Sequence, residues 1–293
     1  MFRKFYEKSS ILQWMFRKSF LSKMFHKLYQ YYEFFDYKKK TRIQFKDAEK
    51  RRKGFEDERF AKIKSLKSKY AGKRCFITCT GPSLTIEDLE LLNNEYDFGM
   101  NSICLIHEKT KWKPDFFGIQ DLKVYDKIKD SLLKTDNGLV FAPYDYMQLR
   151  QTPDDWVYFH TSWAYHMYDK KYTGKYFSKF SDDCYNTVYD GFTITYSIMQ
   201  LAFYMGFDEL YLLGADCSYL GQQQHFIETG HFVSQKDAAN SPNKLFASYL
   251  EALKYAEEHG LKIFNATRGG CLELFPRVAL EEVLANNQKN KTN

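Results

Sequence analysis

Cys75-Phe76-Ile77-Thr78-Cys79-Thr80-Gly81-Pro82-Ser83-Leu84 carries the strongest structural signal in the chain. An apolar, strand-like run stops abruptly at Gly-Pro-Ser, and the residues after it read as a helix over 86–92. Thr85, with Asp88 three residues later, has the pattern of a capping box for that helix. A turn that leaves a strand and enters a helix can aim backbone N–H groups at a phosphate, which is how nucleotide-binding α/β domains open. Pro82 donates no N–H but fixes φ and stiffens the turn; Ser83 adds a hydroxyl. A plain strand-to-helix turn has the same look, so the weight falls on what surrounds it.

Outward from this run, strands and helices alternate. Strands are expected at Phe98–Leu105, Asp115–Gln120, Gly138–Ala142, Glu209–Gly214 and Leu261–Asn265, with helices at 122–134, Thr193–Met205 and 243–259. A Tyr/Trp-rich stretch (156–189) and a polar loop (217–242) show no clear period. This pattern predicts an α/β fold: a Rossmann-like, mostly parallel sheet with helices on both faces, preceded by a basic helical N-terminal segment. Ligands of such sheets sit beyond the carboxyl ends of the strands. The residues expected there are Gly81, Pro82, Ser83, Asn101, Ser102, Asp121, Asp216 and Asn265–Thr267, all small or polar.

The chain has 293 residues, enough for one large domain or two small ones, and 44% of them are hydrophobic. Its net charge of +6 conceals an asymmetry: residues 1–74 hold 23 Lys+Arg against 8 Asp+Glu, and the remainder 20 against 29. Within residues 1–38, Phe5, Leu12, Phe16, Phe20, Met24 and Leu28 recur mostly four apart among Lys and Arg, as on one helix face. Such a helix suits an anionic membrane surface; packing on the globule or on a second copy of the chain, as a homo-oligomer, is the alternative. No nucleic-acid-binding fold accompanies it. Residues 39–70 are highly charged and read as a solvated helix or linker. The expected organisation is a leader and linker over 1–71, a nucleotide-binding domain over 72–284, and a disordered tail over 285–293. The six cysteines follow no disulfide or zinc rhythm, no signal peptide is evident, and no run reaches the roughly 18 apolar residues of a membrane span. A cytoplasmic protein, peripheral on the inner face of the plasma membrane, is expected.

Several motifs carry candidate chemistry. In Asp190-Gly191-Phe192-Thr193, Gly191 relaxes the backbone and Thr193 stands at the positive end of a helix dipole, where a phosphate or a simple N-cap would fit. Asp216, delivered by the buried run Glu209–Ala215, could hold a sugar hydroxyl, orient a histidine or brace the next loop. His225 and His231 are candidate general bases; two histidines six apart make a weak metal site. In Asn265-Ala-Thr267-Arg268-Gly-Gly270, Arg268 could grip a phosphate or carboxylate, and the glycines could be a plain turn. No Walker motif, GxSxG or Asp-x-Asp pair is present, which argues against an ATPase of that type and against a serine hydrolase.

Together, Cys79–Leu84, Asp190–Thr193, Tyr204–Asp216, His225-Phe226 or His231-Phe232, and Asn265–Arg277 resemble the 6-hydroxymethylpterin diphosphokinase-like family. That domain is shared with the Maf flagellin glycosyltransferases and with bacterial surface-polysaccharide proteins. It is also distantly similar to the sialyltransferases of glycosyltransferase family 42. The resemblance implies that Gly81, Pro82 and Ser83 line a nucleotide phosphate, that Asn101 touches the nucleotide or donor sugar, and that Thr193 contacts the donor. The sialyltransferases place a general-base His just before the penultimate helix, where this chain has Ser241-Pro-Asn-Lys244, so a base here would come from the 225–231 loop. The function expected on this footing is a metal-independent glycosyltransferase of surface polysaccharide biosynthesis. It would use a CMP-activated sugar and a glycan acceptor that can be lipid-linked. Two alternatives stand beside it: Mg-dependent pyrophosphoryl transfer from ATP with Asp121 and Asp216 as ligands, and a non-catalytic scaffold.

Overall fold

The computed structural model describes residues 45–162, 178–218, 224–227 and 235–285, together with Lys39, Arg42 and Tyr176. The leader read over 1–38, nearly all of the tail read over 285–293, and His231 lie outside the described residues.

The strands are β1 (Lys73–Thr78), β2 (Tyr96–Met100), β3 (Phe116–Gly118), β4 (Leu139–Pro143), β5 (Val157–Phe159), β6 (Thr161–Ser162), β7 (Val188–Tyr189), β8 (Phe207–Leu213) and β9 (Lys262–Asn265). Seven of them form one parallel sheet in the order β5-β4-β3-β2-β1-β8-β9, and β6 pairs separately with β7. The register runs Cys75 opposite Tyr96 on one side of β1 and Cys75 opposite Leu210 on the other. Side chains alternate across the sheet as the strand period of two requires. Cys75, Ile77, Phe98, Phe116, Phe141, Leu210 and Leu212 enter one core. Phe76, Phe117, Val140, Ala142, Tyr211 and Leu213 enter the other. Both faces are covered, as a parallel sheet demands.

The helix Ile194–Met205 is apolar nearly all round and buried along its whole length, as expected of a helix held between a sheet and other helices. It crosses β3 at Gly118, where a Cβ would fall 2.8 Å from the Ile198 side chain. Helix Leu122–Lys134 and the capping box of Thr85 and Asp88 form as the sequence predicts.

Three expectations change. The strand predicted over Phe98–Leu105 ends at Met100, because Asn101 takes the left-handed conformation (φ 51°) and opens a 3-10 helix over Asn101–Ile106. The helix predicted to begin after Pro242 runs from Gln235 to His259 with the proline inside it. Residues 39–70 are not a solvated linker throughout. Ala48, Arg51, Phe60, Ile63 and Leu66 are buried, and the last three join the core that contains the helix Ile194–Met205. Arg51 is buried because its charge is met: it donates to Asp47, to Asp57 and to the Asn186 carbonyl, at 2.7, 3.1 and 2.6 Å.

Two histidines are packed in neutral form. Burial, with the Lys113 charge nearby, pulls His107 down to about 4; burial, with the Arg51 charge, does the same to His160. The unfolded chain titrates these groups near 6.5. Between those values the unfolded state binds more protons, so stability is full above about pH 6.5 and falls as the pH drops toward 4. Two carboxylates lose their contribution below that window: Asp57, held low by Arg59 and Arg51, and Asp47, where Arg51 and Arg59 outweigh partial burial. Melting temperature is therefore expected to decline steadily from pH 6.5 to 4, and His107→Phe, which leaves one of the two neutral histidines, should make the decline shallower across that whole window. An unchanged slope in that variant would contradict the assignment.

Candidate functional site

The chain lays down β1 to β5 outward on one side, then returns to add β8 and β9 on the other side of β1. Winding reverses between β1 and β8, and a crevice opens beyond the carboxyl ends of strands at such a point. The cleft found there is lined by Thr80, Gly81, Asn101, Thr193, Thr195, Asp216, Gln224, His225, Leu245 and Tyr249, among others. Five residues singled out from sequence thus meet in one place: Gly81, Asn101, Thr193, Asp216 and His225.

Glycine is required at 81. A Cβ there would fall 2.0 Å from Asp216 Oδ2 and 2.3 Å from the Gly214 carbonyl oxygen. This close approach lets the β1 and β8 exits lock together: Gly81 N–H donates to Gly214 O at 2.9 Å, and Ser83 Oγ donates to Asp216 Oδ2 at 2.8 Å. The consequence changes how the turn can act. Pro82 has no N–H, the Gly81 and Leu84 N–H groups are used inside the protein, and Ser83 N–H faces Asp216 Oδ2 at 3.4 Å. The phosphate cradle expected of these amides is instead a brace around a carboxylate, and Pro82 and Ser83 stand behind the wall.

Positive potential enters from elsewhere. Thr193 is the N-cap of Ile194–Met205, and its hydroxyl oxygen accepts from Thr195 N–H at 3.3 Å. Thr195 Oγ1 lies 3.5 Å from Cys79 Sγ and 3.6 Å from Met100 Sδ, tying the helix start to the tips of β1 and β2. Gly191 lies just behind; a Cβ there would meet the Tyr196 ring at 2.2 Å. Phe192 takes φ 70°, and its N–H donates to the buried Asp190 carboxylate, which also accepts from Gln120.

Asn101 offers the cleft a side chain in a conformation few non-glycine residues adopt. Its Oδ1 is buried and accepts no hydrogen bond from the described residues. A buried acceptor of this kind costs about 1–3 kcal/mol unless something donates to it, so a ligand or water is its natural complement. His225 reaches the cleft because the next residue is anchored: Phe226 N–H donates to Thr80 O at 2.8 Å.

The remaining candidates lie outside the cleft. Asp121 is exposed and caps the helix Leu122–Lys134 through the Lys123 and Val124 N–H groups. Asn265 and Thr267 are buried braces: Asn265 Nδ2 donates to Leu272 O, and Thr267 Oγ1 accepts from Ala215 N–H. Arg268 is held by Asp88 and Glu281. Its charge is plain in the sequence, but nothing local reveals that a carboxylate 180 positions away claims it. Tyr249 and Leu245 carry no local signal either, since their place on the wall depends on how the long helix docks. Burial pushes the thiol of Cys79 up to about 12, so it remains protonated on the wall. Among the described residues no group of three or more His, Cys, Asp or Glu is placed to hold a metal ion.

Residues 54–222, more than half of the chain, match the family described as 6-hydroxymethylpterin diphosphokinase MptE-like. The chain belongs to that family. A comparison with curated proteins finds no match. Among solved structures, this MptE-like chain is similar to the sialyltransferase CstII from Campylobacter jejuni in complex with cytidine-5'-monophosphate, at 15% identity and TM-score 0.44, over 71% of this chain and 86% of that one. It is also similar to the Maf glycosyltransferase from Magnetospirillum magneticum AMB-1, at 16% identity and TM-score 0.47, over 76% of this chain and 38% of that one.

Proposed function

We propose that this chain is a glycosyltransferase that moves a sugar from a CMP-activated donor to a glycan acceptor in surface polysaccharide biosynthesis. The observation that carries the reading is the convergence of Gly81, Asn101, Thr193, Asp216 and His225 on one cleft at the switch point of the sheet. In this reading Asn101 and Asp216 hold polar groups of the donor, and the Thr193 helix start faces the nucleotide phosphate, whose charge grows as it leaves. His225 takes the proton from the acceptor hydroxyl.

The family's name points to a second reading, pyrophosphoryl transfer from ATP to a pterin alcohol. That chemistry uses Mg²⁺ held by carboxylates, and the pair it would need here is Asp121 and Asp216. Asp121 does not line the cleft and spends its carboxylate on a helix cap. The donor set does not fit, so no step is routed through that metal. No described helix is long and apolar enough to cross a membrane; the proposed membrane contact belongs to residues 1–38.

Thermal unfolding with CMP, CDP, UDP, GDP and ATP, each with and without Mg²⁺, tests the reading. A ligand that binds only the native state at 100 times its Kd adds about 2.7 kcal/mol, a shift of several degrees. CMP is expected to give that shift without Mg²⁺. A shift with Mg-ATP alone would replace the first reading by the second, and no shift with any nucleotide would favour a scaffold.

A further inference from the structure

We infer that the outward face of the helix containing residues 45–52, with Phe45 and Phe55 at its two ends, seats the folded chain on an anionic lipid surface. The inference rests on the membrane contact proposed for residues 1–38 and extends that contact onto the domain itself.

Residues 45–52 are helical, and burial marks the side that faces the protein: Ala48 and Arg51, three apart, are buried. At 3.6 residues per turn the opposite side carries Phe45, Lys46, Glu49, Lys50 and Lys53, all of them exposed. Glu49 pairs with Lys53 at 2.7 Å. Lys46 and Lys50 make no ion pair among the described residues. The face then ends on an aromatic ring that the backbone holds outward. Gly54, at φ 92°, closes the helix: its N–H donates to Arg51 O and the Phe55 N–H to Lys50 O, at 3.0 and 3.1 Å. At a helix end of this form, the residue after the glycine commonly packs back on an apolar side chain of the preceding turns. The positions available here are Glu49 and Lys50. Phe55 has nothing apolar to fold onto and stays 58% exposed; Phe45, at the other end, is 36% exposed.

Charge selects the occupant. Unpaired lysines between two aromatic rings match an interfacial face, with rings among the headgroups and ammonium groups on lipid phosphates. Residues 1–38, just upstream, hold 8 Lys+Arg against 3 Asp+Glu, so the leader is repelled by this face rather than drawn to cover it. A second copy meeting the same patch about a two-fold axis would set lysine against lysine. An anionic bilayer complements both the leader and the face, and chain continuity brings the two to the same surface. Two rings and two cations are too few to attach the protein alone. The leader brings the chain to the membrane, and the face fixes which side of the globule meets it.

Cosedimentation of the intact chain with vesicles of equal parts phosphatidylcholine and phosphatidylglycerol tests this. The proteins are wild type, Phe45→Ser/Phe55→Ser, Lys46→Gln/Lys50→Gln and Leu250→Ser. Each Lys or Arg near an anionic surface is worth about fivefold in partitioning, so the lysine variant should bind roughly ten- to thirtyfold more weakly. The phenylalanine variant should lose roughly tenfold as apolar surface leaves the interface. Leu250 is the control for any exposed apolar side chain: it is 43% exposed on the helix Gln235–His259 beside β9, whereas the segment 45–66 packs at β5, the other edge of the sheet. Leu250→Ser should bind like wild type. Equal partitioning of wild type and the phenylalanine variant would overturn the face and leave the leader contact standing; no binding by wild type would remove both. A lipid-free dimer that Phe45→Ser/Phe55→Ser splits, with vesicle binding unchanged, would assign the face to a second copy and overturn the proposal. The substituted side chains are exposed, so melting temperatures should agree among the four proteins.

Discussion

His225→Ala is expected to lower the rate of sugar transfer by roughly 10²–10⁴-fold, the usual contribution of a general base, with the melting temperature nearly unchanged. The location of the side chain supports the size of the effect. His225 is the imidazole that the described residues bring to the cleft, and the Phe226 N–H bond to the Thr80 carbonyl fixes its loop to the exit of β1. The ring is thereby tied to the same turn that holds Asp216. The loss should fall on kcat rather than on donor affinity, because a base acts on the acceptor proton and not on nucleotide binding. Transfer assays at saturating donor give this separation. A variant that keeps near-wild-type turnover would remove His225 as the base and move attention to Asp216, whose carboxylate is the other proton acceptor on the wall.

The largest stability effect is expected at the N-terminal side of the sheet. A chain that begins at Gly72 loses Phe60, Ile63 and Leu66, all buried in the core around the helix Ile194–Met205. Burial of such side chains contributes about 1.5–3 kcal/mol each. Their joint loss is comparable to the whole stability of a domain, typically about 5–15 kcal/mol. It also leaves Tyr185 without the Asp57 N–H that donates to its hydroxyl. The shortened chain should aggregate or unfold near room temperature. A chain that begins at Lys39 keeps all these contacts and should melt close to the intact protein. It should also lose binding to anionic vesicles, which the basic, aromatic residues 1–38 are proposed to supply; in the intact protein that binding should weaken as salt rises. A soluble, fully folded chain from Gly72 would contradict the packing described for residues 45–66.

The contrast between that segment and the rest shows what the sequence discloses. Strands β1 and β8 are legible because their carboxyl-terminal halves, Cys75–Thr78 and Leu210–Leu213, are buried on both faces and carry no charge, and helix Leu122–Lys134 because its cap and period agree. Gly81, Asn101 and Asp216 can be named from sequence because strand ends carry ligands, Thr193 because it opens a helix and His225 for its chemistry; the return of the chain to the other side of β1, which brings the five to one cleft, is not legible there. Residues 45–66 are opaque because their charge hides a spacing of three, Phe60, Ile63 and Leu66, and because a buried Arg51 looks like any surface arginine until its partners are in place. Arg268 and Asn265 mislead for a related reason. Their spacing puts them at the strand ends, but which way a loop side chain turns depends on partners such as Asp88 and Leu272 O, remote or across a turn. The glycine turn reads as a cradle because its composition permits one; the carboxylate that fills it arrives from β8.

Binding of a nucleotide donor in the switch-point cleft is tested most directly by a crystal structure of the intact chain grown with CMP. CMP is expected in the cleft, its phosphate facing the Thr193 helix start, with Asn101 Oδ1 accepting a hydrogen bond. CMP on another face of the molecule, or a cleft that stays closed to it at saturating concentration, would contradict that placement.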